Sequence, residues 1–90
     1  MRFEWDEEKR RTNIAKHGID FIRARDAFDG RSAYEYPSTF ADEARNISVA
    51  QVEKGLIAVV WTWREGETVR IISARNARNG EKRKYRELFG

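Results

Sequence analysis

Apolar residues recur along this chain with two different periods. Phe21, Ala24 and Phe28 are spaced by three and four, which places them on one face of a helix. Asp20 precedes them as an N-cap and Asp29-Gly30 follows, so a helix is predicted over 21–28. The stretch before it, Lys9–His17, is mostly polar, with Ile14 and Ala15 as its chief apolar residues. Asp6 can accept from its first-turn amides, Glu7 and Glu8 favour the positive end, and Gly18 stops it. This helix should lie shallowly on the domain, with Lys9, Asn13, Lys16 and His17 on one polar face.

Beyond Gly30 the period changes to two. Ser32–Tyr36 closes at Pro37, Asn46–Val52 turns at Lys54-Gly55, Leu56–Arg64 turns at Glu65-Gly66, and Thr68–Ala74 completes an antiparallel meander. Trp61 and Trp63 share a face with Ile57 and Val59, while Thr62 and Arg64 project from the other. Adjacent Ile71 and Ile72 predict a central strand covered on both sides. Strict alternation puts Arg75 with Val69, Ile71 and Ser73, and Arg70 with Ile72 and Ala74. Met1–Trp5 can supply a leading strand. Tyr85, Leu88 and Phe89 form the apolar stripe of a last helix over 81–89, capped by Asn79 or Gly80. The sum is an α+β fold. It has an antiparallel sheet of about four to five strands, two N-terminal helices and one C-terminal helix, in a single domain over 1–90.

Composition narrows the chemistry. The 90 residues contain no cysteine and one histidine, His17, which excludes disulfides, thiolate zinc, a cysteine nucleophile and a multi-histidine metal site. The acidic residues of the middle segment lack metal-ligand spacing, so neither a metal nor a cofactor is called for. The acidic opening, Glu4, Asp6, Glu7 and Glu8, does not read as a leader. The longest apolar run, Leu56–Trp61, is far short of the ~20 residues that span a bilayer. A cytoplasmic protein without membrane contact is expected.

Net charge is only +3, but residues 67–90 hold seven Lys/Arg against three Asp/Glu, and residues 26–55 hold three against six. A polyanion should therefore meet the ends of the chain. Arg64, Arg70, Arg75 and Arg78 lie on or just beyond strands, and Lys82, Arg83, Lys84 and Arg86 follow on the last helix. The planar guanidinium suits bidentate phosphate binding, and a strand arginine beside buried residues normally has an anionic partner. Histidine is the residue type suited to proton transfer near neutral pH, although His17 in a last turn also stabilises a helix end. Basic strands with interleaved aromatics fit single-stranded RNA. On these residues alone, three readings stand: a metal-free ribonuclease, a non-catalytic nucleic-acid-binding module, and a protein-interaction module whose basic face docks an acidic segment.

The chain resembles the BrnT family of type II toxins over nearly its whole length. The resemblance is carried by Phe3-Glu4-Trp5-Asp6 with Lys9, by Asn13 with Lys16-His17-Gly18 and Phe21, and by Arg45 entering a strand. It continues in Val60-Trp61-Thr62-Trp63-Arg64, Arg70-Ile71-Ile72-Ser73-Ala74-Arg75 and Glu81-Lys82-Arg83-Lys84-Tyr85. It implies a RelE-like fold and a toxin that halts translation by cleaving RNA. It also implies a BrnA-like antitoxin that neutralises the toxin, two toxins with two antitoxins in the complex, and operator DNA contacted only through the antitoxin. The mechanism that goes with it is 2′-hydroxyl attack with His17 as general acid or base and Lys16, Arg64 and Arg75 stabilising the phosphorane. Arg45, Arg78, Lys82, Arg83 and Tyr85 would position the RNA. Trp63 stands where the family pattern leads one to expect a polar or acidic residue, often glutamate.

Overall fold

The computed structural model describes residues 1–90. Helix α1 spans Glu7–His17, and the Asp6 carboxylate caps it by accepting from the amides of Glu8 (2.8 Å) and Lys9 (3.4 Å). It ends at Gly18, whose φ of 71° is a left-handed conformation that costs glycine little. The predicted second helix is present in two pieces: α2 (Phe21–Ala24), capped by Asp20, tightens into a 3₁₀ turn at Arg25–Phe28.

Five strands are present. They are β1 (Arg2–Glu4), β2 (Ala33–Phe40), β3 (Glu43–Val52), β4 (Gly55–Arg64) and β5 (Thr68–Asn76), arranged β1-β5-β4-β3-β2. Four of them pair antiparallel, but β1 joins β5 in parallel, so the sheet is mixed rather than purely antiparallel. Pro37 does not close β2, because β2 is an outer edge strand where a missing N–H breaks no ladder. The two-residue turn Ala41-Asp42, with φ of 50° and 66°, joins β2 to β3; neither residue advertises it as glycine would.

The sheet is covered on both sides. On one side Phe21, Ala24 and Ala27 pack onto Val59, Trp61, Val69, Ile71 and Ala74. Trp61 is buried there and donates its indole N–H to Ser48 Oγ at 2.8 Å. Trp63 extends from the same side, half exposed, edge-on to Trp61. On the other side helix α3 (Asn79–Phe89) lies over Tyr34, Tyr36, Val49 and Ala58, with Tyr85 packed inward. It covers only part of that face.

One irregularity reverses a sequence expectation. Val60 pairs with Ser73 and Trp61 with Ile71, so Ile72 is an extra residue, a bulge in β5. Past it the alternation flips: Ala74 joins Val69 and Ile71 in the core, and Ser73 and Arg75 turn to the face shared with Arg70. The expected grouping of Arg75 with Val69 and Ile71 is thereby corrected.

Candidate nucleic-acid interface

Helix α1 buries a single residue, Asn13. Its amide takes the place of a strand at the edge of β5 that short β1 leaves unpaired. Asn13 Nδ2 donates to the carbonyls of Ala74 (2.9 Å) and Ile19 (2.8 Å), and Asn13 Oδ1 accepts from the Ala74 amide (3.1 Å). This clamp sets α1 alongside β5 with Lys9, Lys16 and His17 turned toward the uncovered part of the sheet.

That uncovered part is the floor of a cleft of about 710 Å³ lined by 13 residues. Ile47, Val60 and Ile72 form its apolar base; Ser38, Thr39, Phe40 and Ser73 supply hydroxyls and one ring. The remaining six are Lys9, Lys16, His17, Arg45, Arg75 and Arg78, and no carboxylate lines the cleft. Cations crowded together in this way repel one another, a cost that an anion in the cleft offsets.

The cations are not equally free. Arg75 is bound through both terminal nitrogens to Glu81, at 2.7 and 3.0 Å, which is the anionic partner its position called for. Glu81 also accepts from the Arg78 amide at 2.8 Å and from the Tyr36 hydroxyl. Burial pushes the Glu81 carboxyl up, but Arg75, the Arg78 amide and Tyr36 together outweigh it and hold it at about 2. Tyr36 shifts up, through burial first and then through its hydrogen bond to Glu81. Lys9, Lys16 and the Arg78 side chain form no ion pair. Arg45 lies over the Phe40 ring and approaches Glu43 only to 3.6 Å, and its buried Nε has no partner.

Of the residues expected to act, the fold gathers His17, Lys16, Arg75, Arg45 and Arg78. Four others lie elsewhere. Arg64 stands near the β1 edge, 3.6 Å from Glu4, which also holds Arg70 at 2.7 Å. Lys82 and Arg83 line a separate shallow surface of α3 with Arg86 and Glu87, because helical spacing turns them away from the sheet. Tyr85 is a packing residue whose hydroxyl donates to the Ser32 carbonyl at 3.4 Å. Trp63 belongs to the opposite face of the sheet and is absent from the cleft lining. Three further residues shape the site: Lys9 and Phe40 line the cleft, and Glu81 holds Arg75. Lys9 was legible, sharing the helix face of Lys16, whereas Phe40 and Glu81 gain their places through pairings 45 or more residues away or across a turn.

Comparison with known proteins places the chain in a family. Residues 5–81 match the family model described as the ribonuclease toxin, BrnT, of type II toxin-antitoxin systems. The crystal structure of the Brucella abortus ribonuclease toxin BrnT is similar at a TM-score of 0.71 and 38% sequence identity, covering 88% of this chain and 99% of that one. No curated protein matches the chain. With a family model spanning most of its length and a solved relative over nearly all of it, this chain belongs to the BrnT family: it is a ribonuclease toxin of a type II toxin-antitoxin system, with RNA as its substrate and an antitoxin as its partner.

Proposed function

We propose that the chain cuts RNA in this cleft without a metal ion. One observation carries the reading: the cleft collects five Lys/Arg and the only histidine with no carboxylate in its lining. The 2′-hydroxyl of one nucleotide attacks the adjacent phosphorus and gives its proton to a base. The bond from phosphorus to O5′ breaks, O5′ takes a proton, and the products are a 2′,3′-cyclic phosphate and a 5′-hydroxyl. His17 is the proton carrier of this scheme, since imidazole is the side chain that both accepts and donates near neutral pH. Lys16, Lys9 and Arg78, which have no internal anion to satisfy them, bear on the phosphorane charge. Arg75 stabilises it more weakly, since Glu81 occupies both its terminal nitrogens, and holds the α3 end of the cleft in place. Arg64, Lys82 and Arg83 draw the polyanion in from outside the cleft.

The mixed sheet flanked by helices supports assigning a RelE-like fold, and two cores sharing one sheet support a single domain over 1–90. The partner we infer is a BrnA-like antitoxin in a complex of two toxins with two antitoxins, touching operator DNA only through the antitoxin. The toxin acts in the cytoplasm, where translated RNA is found; no helix is long and apolar enough to cross a membrane. Incubating the purified chain with RNA in excess EDTA and analysing the fragment ends tests the chemistry. Cyclic-phosphate and 5′-hydroxyl ends are the expected result. Cleavage that needs added divalent metal, or 5′-phosphate ends, would overturn it.

A further inference from the structure

Phe40 is 64% exposed, yet it is held firmly at the last position of β2. It pairs with Glu43 across the two-residue turn, and Thr39 pairs with Ala44 behind it. The ring therefore rises from paired backbone rather than from a loose loop, so its place at the cleft rim is set by the sheet. One of its faces is taken by the Arg45 guanidinium, 4.9 Å from the ring centroid. Arg45 has a side chain only 18% exposed, a long ion pair to Glu43 and a buried Nε that no group satisfies. Its Nη2 lies 3.6 Å from Glu43, beyond the distance of a strong hydrogen bond.

An exposed ring and a guanidinium only loosely paired with a carboxylate, side by side at the rim of a cationic cleft, together match a nucleotide: a flat π surface joined to a phosphate. Resting on the reading that RNA occupies the cleft, we propose that Phe40 and Arg45 form a nucleotide subsite, with a base stacked on the open face of Phe40 and a neighbouring phosphate held by Arg45. An unpaired base is required, since a ring of this kind reaches only bases splayed out of a helix. Stacking tolerates any base, so the subsite positions the strand and selects single-stranded over double-stranded RNA. The cation behind the ring reinforces the stack through the ring's quadrupole.

The test compares the full-length chain with Phe40→Ala and Phe40→Trp. Each is assayed for cleavage of a single-stranded oligoribonucleotide and for quenching of 2-aminopurine placed at successive positions in it. Wild type should quench strongly at one position. Phe40→Ala should lose that quench and raise KM about tenfold, within the roughly 5- to 150-fold range of one base–aromatic stack, while kcat changes little. Phe40→Trp should restore both. Phe40→Leu, which keeps apolar packing but lacks a π face, should behave as Phe40→Ala does; full activity in Phe40→Leu would overturn the proposal. Cleavage with unchanged KM and quench in Phe40→Ala would overturn the subsite while leaving the ribonuclease reading intact. Loss of antitoxin neutralisation with RNA kinetics unchanged would reassign the ring to a protein contact and equally overturn it. A wild-type chain that neither binds nor cuts the oligonucleotide would remove the reading that RNA occupies this cleft, and the subsite with it.

Discussion

At the scale of single residues, Asn13 and His17 divide position from chemistry. Asn13 satisfies both backbone groups of Ala74 and the Ile19 carbonyl, so Asn13→Ala leaves two buried strand groups without partners. A loss of about 2–4 kcal/mol in unfolding free energy by urea titration is expected, together with weaker cleavage as α1 loosens. His17→Ala removes no hydrogen bond that holds the fold, so its melting temperature should stay close to wild type. Its kcat should fall about 100-fold or more, the size of a lost general acid–base group. The sequence made His17, Lys16 and Lys9 legible because one helix face carries them. It could not show that Asn13, between them, docks on a residue 61 positions away.

At the scale of elements, Glu81 ties α3 to the sheet and defines one end of the cleft. Its folded pKa of about 2 is depressed from the ordinary 4.5. A depressed carboxyl contributes stability above its unfolded pKa and loses it as pH falls through the folded value. Acid unfolding should therefore steepen between pH of about 4.5 and 2, and Glu81→Gln should flatten that part of the curve while lowering stability at neutral pH. Thermal melts of both proteins across this range check the prediction. The helices and most strands were readable from caps and alternation because those signals are local. The Ile72 bulge was not, since register is a property of two strands, and Ile72 is as apolar as its neighbour Ile71. That one extra residue carries Arg75 from the side packed by α2 to the side that faces the cleft.

At the scale of the whole molecule, a net charge of +3 conceals a cleft lined by five Lys/Arg and no carboxylate. Acidic residues compensate elsewhere, as Glu4 does for Arg64 and Arg70 and Asp20 for Arg10. Charge counted along the chain located the basic ends but extended the candidate site onto Lys82 and Arg83 of α3. Folding narrows it, because helical spacing sends Lys82 and Arg83 away from the sheet while the loop before α3 brings Arg78 to it. Binding to single-stranded RNA should weaken steeply with salt, and Lys16→Ala should reduce the slope of log K against log salt by about 0.7, one phosphate contact.

The most direct test of the cleft as the cutting site is a comparison of single-turnover cleavage rates on one RNA. His17→Ala and Lys16→Ala stand for the cleft, and Arg64→Ala, Lys82→Ala and Arg83→Ala for the cations outside it. Rates lower by about 100-fold in the first pair, with the other three within about threefold of wild type, are the predicted outcome. Full activity in the cleft pair, or loss concentrated in Arg64, Lys82 and Arg83, would contradict it and move the site elsewhere.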